Sequence, residues 1–138
     1  MEAPKRVVLD TVVLIKHLRG QLQGLMASLN GRSEIATTIV NAFELYYGAH
    51  KSKEVRKNLA SAKGLLGSID VLDFDDGAAE KSGQVLARLE SIGLTLDPRD
   101  IFIGCIALEN GYSVLTMNRR HLERIPDLLV IEPSDLKL

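Results

Sequence analysis

The segment that most restricts the fold is Arg6-Val7-Val8-Leu9-Asp10, three consecutive apolar residues, two of them β-branched, stopped by a carboxylate. An unbroken run of this kind suits a strand buried on both faces, as in a parallel sheet. Four weaker versions follow at Ile35–Thr38, Ile69–Phe74, Tyr112–Thr116 and Leu128–Ile131. Asp70 and Asp73 place the third at a sheet edge. Between these runs, apolar residues at helical spacing predict helices over Val12–Leu18, Leu22–Leu29, Ile39–His50, Glu54–Leu66, Ala78–Ile92 and Pro98–Asn110. Gly20 and Lys51-Ser52-Lys53 separate the first two pairs, while Gly93 and Gly111 end the last two helices. Strands alternating with helices predict an α/β domain on a mainly parallel sheet.

Composition serves to exclude. A chain of 138 residues with 46% apolar content supports one domain, expected over residues 1–138 with only Met1–Lys5 loose. Seventeen basic against eighteen acidic residues leave a net charge of −1, neither a polycation nor an acidic tail. One cysteine, Cys105, forms no intrachain disulfide and fits a reducing compartment. With His17, His50 and His121 widely spaced, no zinc set of Cys and His is present. The apolar stretch Val7–Ile15 is broken by Asp10, unlike a signal peptide, and the longest apolar run, Ile101–Leu108, is too short to span a bilayer. The expectation is a soluble, cytoplasmic protein without a membrane contact.

In open α/β sheets, ligands bind beyond the carboxyl ends of the strands. Asp10 and Thr11 stand at one such end, although both residue types also serve as simple helix caps. Glu44 shares a helical face with Val40, Phe43 and Tyr47, and a carboxylate in an apolar sector is costly unless paired or bound to a cation. The alternative is a boundary position that reaches water. Asp97 and Asp100 open the helix that carries Ile101–Leu108, and together they resemble a capping box. Asp97 suits the structural role. Asp100 suits a functional one, since it shares its face with Gly104 and Ala107, small residues expected to leave a shallow space above it. The run Thr116-Met117-Asn118-Arg119-Arg120 adds a hydroxyl, an amide and two cations at the end of another strand, though as a turn it needs no function.

A parallel sheet would gather Asp10, Glu44, Asp100 and Asn118 at one rim. Clustered carboxylates raise one another's pKa. A hard divalent cation, Mg²⁺ or Mn²⁺, resolves that conflict, and its chemistry at a phosphoryl group is that of nucleases.

With these residues in this order, the chain resembles the PIN-domain ribonucleases, and within them the VapC-type toxins of toxin–antitoxin pairs. The resemblance runs from Val7-Val8-Leu9-Asp10-Thr11 through Glu44 and Asp100-Ile101-Phe102-Ile103 to Val114-Leu115-Thr116-Met117-Asn118 and Arg124-Ile125-Pro126. It implies a three-layer α/β/α sandwich and RNA cleavage by a metal-activated water. It also implies Mg²⁺ or Mn²⁺ on Asp10, Asp100 and Glu44, a homodimer, and a VapB-like antitoxin whose tail covers the acidic groove. The family's fourth position, often Asp, corresponds to Asn118, which removes one negative charge. Val12 replaces a small polar residue and Leu122 a frequent aromatic. Thr11, Thr116, Arg119 and Arg120 are the candidate substrate contacts, with Asp97 as an outer acid acting through water. Of the two basic stretches, Lys51–Lys57 and Arg119–Arg124, the second adjoins Asn118 and suits phosphate better.

Three function classes follow. A metal-dependent endoribonuclease toxin leads; a catalytically weak RNA- or partner-binding module is favoured by Asn118 and opposed by the three acids. A phosphatase of the haloacid-dehalogenase type would want a second Asp at the position of Val12, and a phosphoacceptor receiver would want an acidic pair where Asp10 stands alone. Apolar residues such as Leu22, Leu25, Met26, Leu65 and Leu66 exceed what one small core needs, so some of them are expected to form the dimer contact.

Overall fold

The computed structural model describes residues 2–136. Strand β1 (Arg6–Leu9) lies at the centre of a five-stranded sheet with β2 (Glu34–Thr38), β3 (Asp70–Leu72), β4 (Ser113–Leu115) and β5 (Val130–Ile131). The order is β3-β2-β1-β4-β5, and every neighbouring pair is parallel. Val8 faces Ala36 across one ladder and Val114 across the other. Burial on both faces is what its unbroken apolar run requires, and Val7, Val8 and Leu9 are indeed all buried.

Alternation along β1 divides the core in two. Val7 and Leu9 pack with Val13, Leu14, Leu25, Leu29, Leu45 and Leu66. These come from α1 (Thr11–Leu18), α2 (Leu25–Leu29), α3 (Ile39–Lys51) and α4 (Val55–Leu66), which cover one face of the sheet. Val8 points the other way, to Val85, Leu89, Ile101, Cys105 and Leu122. That face is covered by α5 (Asp76–Ser91), α6 (Pro98–Glu109) and α7 (Arg119–Leu122). Each such side chain taken fully from water contributes about 1.5–3 kcal/mol. The result is the α/β/α sandwich.

The chain leaves β1 toward β2 on one side and later returns to β4 on the other. The carboxyl ends of β1 and β4 therefore flank a topological switch point, where such sheets open a crevice.

Several boundaries differ from the sequence expectation for local reasons. The helix over Leu22–Leu29 shortens to Leu25–Leu29 because Gly20 and Gly24 hold left-handed backbone at φ 72° and 88°. Helix α5 starts early, at Asp76, since the Asp75 carboxylate accepts the Ala78 N–H at 2.9 Å. Helix α7 has four residues, too few to show a period, and forms where the sequence alone suggests a turn. The third strand is an edge strand, as its acids require.

Two packing expectations are corrected. A Cβ on Gly104 would collide with Ile125 Cδ1, so the small-residue stripe of α6 is filled by Ile125 and Leu128 and leaves no space. Leu25, Leu65 and Leu66 are buried in the core, so of the five only the half-exposed Leu22 and Met26, packed against it, keep surface for a subunit contact. Helix α3 turns Asn41, Ala42, Leu45 and Ala49 inward. Its outer face leaves Ile39, Phe43 and Tyr47 at 44%, 55% and 52% exposure, with the Phe43 and Tyr47 rings stacked. Among the described residues, no helix is long and apolar enough to cross a membrane.

Candidate active site

Asp10 follows the last residue of β1 and caps α1, so one residue closes a strand and opens a helix. It is 9% exposed, and donors hold both carboxylate oxygens. Oδ1 accepts the Thr11 N–H at 2.9 Å and Asn41 Nδ2 at 3.0 Å. Oδ2 accepts the Thr116 hydroxyl, from the end of β4, at 2.7 Å. The switch point thus fixes a carboxylate in one orientation with hydrogen bonds from three elements of the fold.

Asn41 is a residue that sequence reasoning missed. Thr38 caps α3 and its hydroxyl donates to Asn41 Oδ1 at 2.7 Å, which orients the amide. Nδ2 then reaches both Asp10 and the Thr11 hydroxyl, the latter at 2.9 Å. The signal present was the Thr38-x-x-Asn41 capping pattern, which announces a helix start and is silent about a second set of partners.

Thr11 relays this network, since its hydroxyl donates to Glu44 Oε1 at 2.6 Å. Glu44 does not sit in a buried apolar sector. Phe43 and Tyr47 beside it face outward, and its carboxylate, 22% exposed, is turned to Thr11 and to Arg99 Nη1 at 3.6 Å. Thr11 and Thr116 are hence occupied in holding acids. Thr116 is fully buried, which corrects its assignment as a substrate contact.

Asp100, in the first turn of α6, is the opposite of Asp10. Among the described residues nothing donates a side-chain hydrogen bond to it. Burial and the nearby charges of Asp10, Asp97 and Glu44 push its pKa up to about 6, with His121 pulling weakly the other way. Asp97 is the N-cap of α6, accepting the Arg99 N–H at 2.8 Å and the Arg99 guanidinium at 3.3 Å. Those bonds from Arg99 hold its carboxyl below the usual range. No reciprocal capping box with Asp100 forms.

Asn118 opens α7; its N–H donates to the Thr116 hydroxyl at 2.9 Å and its amide nitrogen lies 2.7 Å from His121 Nδ1. The two arginines after it separate. Arg119 pairs with Glu132 and Asp135, so it braces the C-terminal turn and is no free phosphate ligand. Arg124 donates to the Thr95 carbonyl. Arg120 is exposed and, among the described residues, has no ion pair. It lines a shallow depression with Met117, Asn118 and Glu123.

The donor set at this rim is oxygen alone. Among the described residues, no three His, Cys, Asp or Glu side chains converge as a ready metal shell. Hard cations such as Mg²⁺ keep several waters and take one or two carboxylates, so Asp10 with the uncompensated Asp100 fits such an ion. A zinc site of nitrogen and sulfur does not fit.

Residues 7–128 match the PIN domain family. The chain is 33% identical over 124 residues to the tRNA(fMet)-specific endonuclease VapC of Shigella flexneri, covering 89% of this chain and 94% of that protein. The enzyme of the same name from Salmonella typhimurium is 32% identical over 126 residues, 91% of this chain and 96% of its own. Among solved structures, VapBC of Salmonella typhimurium bound to DNA matches at a TM-score of 0.84 with 31% identity, covering 94% of this chain and 98% of that chain. VapBC2 of Rickettsia felis, at 23% identity and a TM-score of 0.84 over 92% of this chain and 98% of its own, shares the fold. With the switch-point carboxylates in place and the match running through nearly all of the sheet, the chain belongs to the PIN-domain family.

Proposed function

We propose that this chain is a metal-dependent endoribonuclease, the toxin of a toxin–antitoxin pair, which hydrolyses RNA phosphodiester bonds. The observation that carries the reading is the contrast inside the acidic rim: Asp10 is held rigidly by three donors, while Asp100 is half-buried, unpaired and repelled by its neighbours. Asp10 and Asp100 would hold Mg²⁺ or Mn²⁺, with Glu44 reached directly or through water. When bound, that ion supplies charge stabilisation at the phosphoryl group and acidifies water.

The chain's own residues do the remaining work. Asn41 and Thr116 keep Asp10 from turning, so no orientation is lost when RNA arrives. Asn118 offers its amide oxygen to a water at the rim, its nitrogen being turned to His121. Arg120, free and exposed beside it, supplies the phosphate contact that Arg119 cannot. The relatives from Shigella and Salmonella are named as acting on tRNA(fMet), which makes initiator tRNA the first RNA to offer. The solved Salmonella relative is a VapBC complex, which supports a VapB-like antitoxin as partner. A homodimer forms through the outer face of α3, where Ile39, Phe43 and Tyr47 would be covered by a second copy.

The test is cleavage of labelled initiator tRNA and a panel of structured RNAs with Mg²⁺ or Mn²⁺, with EDTA as control. Asp10→Asn keeps the shape but not the charge, and should lower cleavage by at least about 100-fold, beyond the cost of removing an outer residue. Equal rates in the two proteins would overturn the enzyme reading. A binding module is the second reading, favoured by Asn118 at the fourth position and by the lack, among the described residues, of three converging ligand side chains. It takes the lead if wild type and Asp10→Asn bind RNA alike and neither cuts it.

A further inference from the structure

Arg99 lies inside the acidic rim and was singled out by neither the sequence nor the resemblance. Its backbone N–H is anchored to Asp97 at 2.8 Å, which fixes where the side chain starts. The guanidinium spans two acids, with Nη2 3.3 Å from Asp97 Oδ2 and Nη1 3.6 Å from Glu44 Oε2. Both distances exceed the 2.7–2.9 Å of a tight charge-assisted bond, and the side chain is 50% exposed. Asp97 holds the guanidinium at a second point, Nε donating to Oδ1 at 3.4 Å, whereas the single contact to Glu44 is loose and exchangeable.

We infer that Arg99 is the internal counter-cation of the acidic rim, and that it leaves Glu44 for an RNA phosphate when a divalent cation enters. Charge requires the first half. Asp10, Glu44, Asp97 and Asp100 crowd together, and among the described residues Arg99 is the one cation that ion-pairs with any of them. A doubly charged ion among those acids repels a guanidinium that shares Glu44 with it, and competes for the same oxygen. Geometry supports the second half. A guanidinium fork fits phosphate as well as carboxylate, and Arg119 and Arg124 are committed to partners elsewhere. The substrate half rests on the ribonuclease reading above; the counter-cation half does not.

The two halves predict opposite signs for one substitution. In calorimetric titrations of Mn²⁺ into the full chain without RNA, Arg99→Ala should tighten binding about 3- to 10-fold, because a repelling charge is gone. Arg99→Lys, which keeps the charge, should stay within about twofold of wild type. Binding of fluorescently labelled initiator tRNA, read in Ca²⁺, should weaken about 5- to 10-fold in Arg99→Ala, with the salt slope lower by about one ion. Arg99→Lys should fall between. A cap role alone would lower the melting temperature and leave Mn²⁺ affinity unchanged or weaker, which overturns the inference; Arg99→Gln provides the same reading if the alanine variant unfolds. Tighter Mn²⁺ with unchanged RNA affinity overturns the phosphate step. Should wild type bind no RNA, the ribonuclease reading fails, and the Mn²⁺ titration still decides the counter-cation role.

Discussion

Asp10 and Asp100 are two carboxylates of one rim, each at the positive start of a helix, and their surroundings could hardly differ more. Asp10 ends the central strand, is nearly enclosed, and accepts bonds from Thr11, Asn41 and Thr116. Asp100 rides on a helix, is half-buried, and meets negative charge instead of donors. The strand position yields a preorganised ligand whose charge the fold has already satisfied. The helix position yields a ligand whose charge waits for a cation. A rim of two acids of the first kind would gain little from metal; two of the second kind would not hold their geometry.

The strongest way to break this contrast is to remove the support of Asp10 without touching any acid. Asn41→Ala deletes the bonds to Asp10 and Thr11 from a fully buried position. It should cost about 2–3 kcal/mol, since buried acceptors lose their partner. Cleavage should fall about 10- to 100-fold, as for groups that orient metal ligands. Thermal unfolding and initial rates on the same samples check both. Unchanged rates would mean that Asp10 needs no third anchor.

The next test reverses the sign. Asp100 titrates near an ordinary carboxylate value when unfolded and at about 6 when folded. Between these values the native state holds more protons, so its contribution favours folding at low pH and is lost as pH rises through about 6. Asp100→Asn cannot ionise, so it should be more stable than wild type above that pH and equal to it below about pH 4. Screening at this half-exposed site reduces the gain to about 1–2 kcal/mol. Melting curves in EDTA from pH 3.5 to 8 read it. Mn²⁺ should raise the melting temperature of wild type and leave Asp100→Asn nearly unmoved. A destabilised Asp100→Asn at neutral pH would refute the contrast.

The smallest effect sharpens it. Asn118→Asp adds a fourth acid beside His121 and should tighten Mn²⁺ about two- to threefold in the same titration, by Coulomb attraction at an exposed site. Weaker binding would show that repulsion among the acids outweighs the attraction to one ion.

Much of this was legible in one dimension because it depends on neighbours in the chain. The doubly buried β1 follows from Val7-Val8-Leu9, the edge placement of β3 from Asp70 and Asp73, and the start of α6 from Asp97-Pro98. The order of strands and helices sufficed to put Asp10, Glu44, Asp100 and Asn118 near one rim, since all strands of a parallel sheet end on the same side.

What each residue does there depended on contacts far apart in sequence. Asn41 lies 31 residues from Asp10, and Thr116 lies 106 residues away, so neither could be seen as an anchor from local pattern. Arg119 looked like a phosphate ligand until Glu132 and Asp135 claimed it. Helical periodicity names an apolar face without saying what it meets. That is why Leu25 and Leu65 went to the core while Phe43 and Tyr47 stayed outside. The sequence by itself determined the five strands, the longer helices and which acids reach the rim, because local propensity and strand direction act over a few residues. Only the tertiary structure decided which of those acids is satisfied and which is left charged, because hydrogen bonding and burial are settled where distant segments meet.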